Sequence, residues 1–216
     1  MNIAIIGSGR IGGTVGKLWA QAGHLVRFSS RHPENLEELV AESGPNASFS
    51  SVEEALPFGE IFLISIPYGS LPAFGEQYGE QLSGNIVMET GNPYPQRDGE
   101  VAKQVLDSGL GTGYWSARWL PGIRLVRAFN SVWDRTLARE AHRRPPQVGI
   151  PLAADDAQAM EVVAGLVRDA GFDPVLVGAL SRAREFDVET RVYNTGMSGS
   201  EVRRALGLAE MGVAKR

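Results

Sequence analysis

The sequence predicts an α/β protein: a Rossmann-type, doubly wound, mostly parallel sheet with helices on both faces and a small helical C-terminal segment. Three observations predict it. Short runs of consecutive apolar residues, such as IAII and IFLI, recur along the 216-residue chain, which marks strands buried on both faces. Segments with apolar residues at helical spacing separate those runs. A glycine-rich turn, GSGRIG, closes the first run and opens the first helical pattern. Strands alternating with helices imply a parallel sheet covered on both sides.

NIAIIG (2–7) is the first strand and ends in glycine. Ile11, Val15, Leu18, Trp19 and Ala22 then recur at helical spacing, with Gly23 placed as a C-cap. LVRFS (25–29) is the second strand; Pro33 suits a first helical position ahead of ENLEELVAES, which stops at Gly44. SFSS (48–51) is a brief third strand followed by the short helix VEEAL. IFLISI (61–66) is the clearest buried strand, ended by Pro67; residues 71–82 are helical or irregular, and NIVMET (85–90) is the next strand. GNPYPQRDG (91–99) reads as a turn-rich loop and 100–108 and 114–120 as helices. IRLVRAF (123–129), QVGIPLA (147–153) and DPVLVG (173–178) complete the strands, with a well-patterned helix at 155–171. Residues 179–216 are expected to be mostly helical and to pack on the main sheet, so that 1–216 forms a single domain.

Composition narrows the function classes. Hydrophobic residues are 43% and charged residues 21%, as in ordinary globular proteins. The net charge of −4, with no long basic run, favours neither nucleic acid nor an anionic membrane. The absence of cysteine excludes disulfides and thiolate metal sites. His24, His32 and His142 are dispersed and lack an accompanying carboxylate cluster, so no metal is expected. The start shows no positive n-region, and no run reaches roughly 20 apolar residues. A cytoplasmic enzyme or binding protein is the expectation.

Gly7, Ser8, Gly9, Arg10, Ile11 and Gly12 form G-x-G-x-x-G between a buried strand and an amphipathic helix, the context that makes this short motif informative. The first glycine permits a tight turn and the second lets backbone approach a pyrophosphate. The third lets helix and strand pack closely, while the helix N-terminus offers unpaired N–H groups. The alternative is a glycine-rich turn that binds nothing. Near the end of the second strand, an NAD site would place an acid on the ribose hydroxyls. This chain has Ser30, Arg31 and His32 there. Ser30 can donate to a 2′-phosphate, Arg31 can pair with it, and His32 adds a donor. Arg31 is also compatible with a solvated loop charge. The pattern favours NADP(H).

Some chemistry is missing. No tyrosine has a lysine four residues on, and no lysine lies between Lys103 and Lys215. Carbonyl reduction makes an alkoxide that needs a placed proton donor. Hydride transfer to a flavin-like ring does not, because the ring delocalises charge and takes a proton from water. Tyr68, Tyr94 and Tyr193 remain as candidate donors.

The blocks IAIIGSGRIG, SSRHP, SIPY (65–68), GNPYP (91–95), RLVRAFNSV (124–132) and VGALSRAREFD (177–187) resemble NADPH-dependent reductases of the deazaflavin (coenzyme F-420) oxidoreductase family. They are also similar to the cytoplasmic reductase domain of six-transmembrane metalloreductases, which NPYP and AFN follow more closely. The resemblance implies Gly7 to Gly12 on the pyrophosphate, Ser30 and Arg31 on the 2′-phosphate, and Ser65, Ile66 and Pro67 along the cofactor. It also implies Asn92, Pro93, Tyr94 and the Ala128–Phe129–Asn130 turn around the nicotinamide and its acceptor, with Tyr68 and Arg184 on the acceptor side. Each acceptor-side residue has a plainer reading: Asn92 and Pro93 as a turn, Phe129 as core, Asn130 as an N-cap, Arg184 as a surface ion pair. The implied function is hydride transfer between NADP(H) and a flavin or deazaflavin co-substrate. Reduction of a small imine or carbonyl compound and a non-catalytic NADPH sensor stand as alternatives. A homodimer is expected, its interface drawing on Val192, Met197, Val202, Leu206 and Leu208.

Overall fold

The computed structural model describes residues 1–209. The eight expected strands are β1 (Asn2–Ile6), β2 (Leu25–Ser29), β3 (Ala47–Ser50), β4 (Ile61–Ile64), β5 (Ile86–Glu89), β6 (Arg124–Arg127), β7 (Gly149–Ala153) and β8 (Asp173–Gly178). They form one sheet in the order β3-β2-β1-β4-β5-β6-β7-β8. Neighbours are parallel except β6 and β7, which meet antiparallel at Arg127 and Ala153. The chain winds outward from β1 in one direction and returns to add β4 on its other side. That reversal opens a crevice above the carboxyl ends of β1 and β4, where doubly wound sheets bind ligands.

The apolar strands fill two cores because successive side chains point to opposite faces. Ile3 and Ile5 of β1, with Ile61 and Leu63 of β4, join Val15 and Trp19 of α1 (Arg10–Gln21) in one core. Ala4, Ile6, Phe62 and Ile64 enter the other. After α2 (Glu37–Ser43), the second face is covered by α3 (Val52–Ala55), α4 (Leu71–Leu82), α5 (Pro95–Ser108) and α6 (Thr112–Trp119). The first face also receives Leu137 from α7 (Asp134–Glu140) and Val163 and Leu166 from α8 (Ala157–Asp169). Trp19 is fully buried and its indole donates to the Leu166 carbonyl at 2.7 Å, which ties α1 to α8.

Two stretches differ from expectation. Residues 95–98 of the turn-rich loop form a helical turn, and Gly99 breaks it from the rest of α5 with φ 57°. The C-terminal segment is less helical than expected: a 3-10 helix at Leu180–Glu185 and the short helix α9 (Gly199–Ala205) flank irregular chain. Glu189, Asn194 and Gly196 adopt positive φ there, which no helix continues through. Residues 210–216 of that segment lie outside the described residues. Its apolar side chains are used within the chain. Val192 and Val202 are buried against Ala153, Val175 and Val177, and the partly buried Met197, Leu206 and Leu208 pack on them. Among the described residues, no helix is long and apolar enough to cross a membrane.

Candidate active site

The glycine turn sits at the reversal point, and sterics dictate its composition. Gly7 has φ 92°, and a Cβ there would lie 2.6 Å from the Ser65 carbonyl oxygen. A Cβ on Gly12 would lie 2.2 Å from the Gly7 carbonyl oxygen. At Gly9 a Cβ would meet nothing within 4 Å, so bare backbone faces open space. No side chain caps the N-terminus of α1 and no acid occupies its first turn. Its partial positive charge and free N–H groups are therefore available to an anion, and the turn fits a pyrophosphate.

The second half of the nucleotide cradle lies beside it. Ser8 Oγ donates to the Ser29 carbonyl at 3.2 Å, joining the turn to the end of β2. Ser30 Oγ accepts from the His32 backbone N–H at 2.9 Å, which shapes the following turn. Arg31 and His32 are exposed; His32 Nδ1 lies 3.2 Å from Glu34, while Arg31 has no ionic partner among the described residues.

From this cradle a cavity of about 300 Å³ runs past the ends of β4, β5 and β6. It brings together Arg10, Ile11, Ser65, Ile66 and Pro67 on the nucleotide side with Asn92, Tyr94 and Asn130 on the far wall. The two asparagines lock that wall: Asn92 Nδ2 donates to the Asn130 carbonyl at 2.8 Å, and Asn130 Nδ2 donates to the Phe186 carbonyl at 3.3 Å. Asn130 is presented by Phe129, whose φ of 60° is unusual outside glycine. Edge-on contacts with Trp19 and Phe172 hold the Phe129 ring in the core. Tyr94 and Tyr193 join hydroxyls across the mouth. Burial and the neighbouring Tyr94 push the Tyr193 hydroxyl well above the ordinary phenol range.

Four expected residues do not reach this cavity. Tyr68 is fully buried, donates to the Thr112 carbonyl at 2.8 Å, and packs edge-on against Trp119. Desolvation pushes its hydroxyl up as well, and the ring packs in the second core rather than facing the cavity. Ala128 is core. Pro93 and Arg184 lie on the far side of the loop, around a separate shallow depression with Leu106, Gly111 and Val188. Arg184 packs its Cβ region against Gly111 and takes no part in the cavity.

Other residues of the site carry no sequence motif: Thr90, Arg97, Trp133 and Asp134 line the cavity beside Tyr193. Beneath them lies a buried polar ring. Arg127 and Glu89, opposite each other on β6 and β5, pair at 0% and 1% exposure. Arg127 also donates to the Gly91 carbonyl at 2.8 Å, and Glu89 accepts from the Gly91 N–H and from Ser116 Oγ. Thr112 donates to Asp187, which lies 3.6 Å from Arg127 and closes the ring. Burial raises the Glu89 carboxyl above its usual range, against Arg127 and the hydrogen bonds it accepts. The Arg127 guanidinium stays charged, because Glu89 and Asp187 outweigh the burial that opposes its charge. A glutamate and an arginine inside strands with no solvated face were the available signal.

A doubly wound sheet with a glycine cradle at its reversal point, and a cavity continuing from that cradle, make the geometry of a dinucleotide-binding Rossmann-type protein. The comparisons with known proteins agree. The family model described as NADP oxidoreductase, coenzyme F420-dependent, matches residues 2–93, so the motif resemblance holds through the nucleotide cradle. The metalloreductase STEAP3 of Rattus norvegicus is 26% identical over 190 residues; the match takes in 86% of this chain and 35% of that protein's length. Solved structures share the fold. A hypothetical protein from Sinorhizobium meliloti superimposes with TM-score 0.77 at 21% identity, covering 92% of this chain and 95% of that one. A proposed F420-dependent NADP-reductase from Arthrobacter sp. FB24 gives 0.70 at 20% identity, covering 97% and 96%. An imine reductase from Bacillus cereus gives 0.62 at 18% identity over 84% of this chain and 56% of that one.

Proposed function

We propose that the protein transfers hydride from NADPH to a flavin or deazaflavin ring. Gly7 to Gly12 and the α1 N-terminus would hold the pyrophosphate, Ser30, Arg31 and His32 the 2′-phosphate, and Ser65 to Pro67 the nicotinamide side. Asn92, Tyr94 and Asn130 would border the acceptor. NADPH held there would supply the hydride and become NADP⁺, and the acceptor ring, having gained that hydride, would take one proton from water.

One observation carries this reading. The titratable groups lining the cavity are Arg10, Arg97, Asp134, Tyr94 and Tyr193. Burial, with Tyr94 beside it, moves the Tyr193 hydroxyl further above neutral pH, and Asp98 holds the Arg97 guanidinium in its charged form. A cavity built to protonate an alkoxide would tune a donor toward working pH; a cavity built to stack a delocalising ring needs only orientation. The joined hydroxyls of Tyr94 and Tyr193 favour the second reading, reduction of a small imine or carbonyl compound, because a paired hydroxyl can donate.

The test is NADPH consumption with FMN, FAD, riboflavin and the deazaflavin, against a panel of imines and carbonyls. Turnover with a flavin-type ring is expected. Turnover confined to imines or carbonyls would select the second reading, and tight NADPH binding without consumption would identify a sensor.

A further inference from the structure

Arg97 is held in one pose by three separate interactions. Its Nε donates to Asp98 Oδ1 at 2.8 Å, and its Nη2 donates to Asp98 Oδ2 and to the Asn92 carbonyl, both at 2.8 Å. The guanidinium also lies 5.0 Å from the centre of the Tyr94 ring. Asp98 is itself fixed: its side chain is 1% exposed and accepts from the Tyr94 backbone N–H at 2.9 Å. These bonds use the Nε and Nη2 edge of the fork. Nη1 has no hydrogen-bond partner among the described residues, although Arg97 lines the cavity with its side chain 45% exposed. The arginine is therefore clamped along one edge and open along the other, at the boundary between cavity and solvent. Side-chain entropy has already been lost in the free protein, which favours a ligand contact there.

Resting on the flavin-type reading above, we propose that Arg97 is the residue that selects the acceptor, by binding an anionic group carried on the acceptor's tail. The uncharged wall of Asn92, Asn130 and Phe129 suits a ring. A fixed cation at the rim suits a phosphate or carboxylate that remains partly solvated while the ring is buried. Arg10 is a second cation on the lining and Asp134 its acidic residue, while Asp98 behind the lining pairs with Arg97 along one edge only.

FMN and riboflavin test this directly, since they share a ring and differ by one phosphate. Protein saturated with NADP⁺ is titrated calorimetrically with each. FMN is expected to bind at least about tenfold more tightly, the scale of one charge-assisted contact. Arg97→Gln should bring the two affinities within about twofold of each other by lowering FMN affinity more than riboflavin or NADP⁺ affinity. Arg97→Lys, which keeps the cation, should retain part of the preference and lose more of it as salt is raised. Equal affinities in the unmodified protein, failure of both flavins to bind, or a preference that survives Arg97→Gln would overturn the assignment. NADPH consumption is followed separately. Selective FMN binding without turnover would leave the anion site standing and remove the hydride-transfer reading; turnover with equal FMN and riboflavin affinities would do the reverse.

Discussion

Replacing Arg127 with methionine probes the support beneath the acceptor wall. The substitution keeps the volume of the aliphatic stem but strips the cation from a pair that is buried on both sides. Three acceptors lose a donor: the Glu89 carboxylate, the Glu89 carbonyl at 3.2 Å and the Gly91 carbonyl at 2.8 Å. Glu89 keeps Ser116 and the Gly91 N–H, but loses the ion pair that its carboxylate makes among the described residues. Removing one partner of a buried pair costs about 3–5 kcal/mol, against a total stability on the order of 5–15 kcal/mol. At about 2–4 °C per kcal/mol for a chain of this size, the melting temperature should fall by roughly 6–20 °C. Urea unfolding of Arg127→Met, Glu89→Gln and the double variant gives the coupling directly. The double variant should recover part of the loss, because the uncompensated charge is gone. A single-variant loss below about 1 kcal/mol, or strictly additive losses, would show that the pair is not a coupled support. Because Gly91 precedes Asn92, Arg127→Met should also weaken acceptor binding more than NADPH binding.

Three further outcomes follow from the site. Arg31→Ala should lower NADPH affinity at least about tenfold, or 1.4 kcal/mol, and leave NADH nearly unchanged; equal losses for both would show that Arg31 does not read the 2′-phosphate. Tyr94→Phe and Tyr193→Phe should each slow flavin-type turnover less than about tenfold, whereas loss of a true general acid costs about 10²–10⁴. Asp156, which caps α8 and pairs with Arg124 Nε at 2.6 Å, has its carboxyl held down at about 2 by that arginine first and by the Ala159 N–H second. A depressed carboxylate stabilises fully above its unfolded value of about 4 and loses that contribution as pH falls toward 2. The melting-temperature gap between the native protein and Asp156→Asn should therefore close between those pH values; a constant gap would contradict it.

The nucleotide half of the site could be read from sequence because its requirements are local. Gly7, Gly9 and Gly12 answer to backbone geometry within one turn, and Ser30 to His32 follow the strand paired with β1. The strands were equally readable, since a strand buried on both faces must be apolar at consecutive positions. The helix α7 escaped notice because a seven-residue segment with Leu137 as its buried residue has almost no period to detect. Tyr68 misled for a related reason. It directly follows the cavity-lining Pro67, but its ring turns into the second core, and sequence proximity does not report side-chain direction.

The acceptor half depends on contacts that no local pattern encodes. Residues 90–97, 129–134 and 193 come from separate loops, and Tyr94 meets Tyr193 across 99 positions. What brings them together is the ring of Arg127, Glu89, Ser116, Thr112 and Asp187, which draws β5, β6, α6 and the chain after the 3-10 helix to one point. Such a ring is costly to bury, and with Arg127 Nε left without a partner among the described residues it depends on the close pairing of its remaining donors and acceptors, so its geometry is narrowly defined. Arg127 grips the Gly91 carbonyl, and the next residue, Asn92, then sets both Asn130 and Arg97 through its amide and its carbonyl. The orientation of the proposed acceptor-selecting arginine thus descends from an ion pair in the middle of the sheet. A substitution at Glu89 or Arg127 should on this account change acceptor choice without touching the acceptor, while leaving the glycine cradle and its NADP(H) affinity intact.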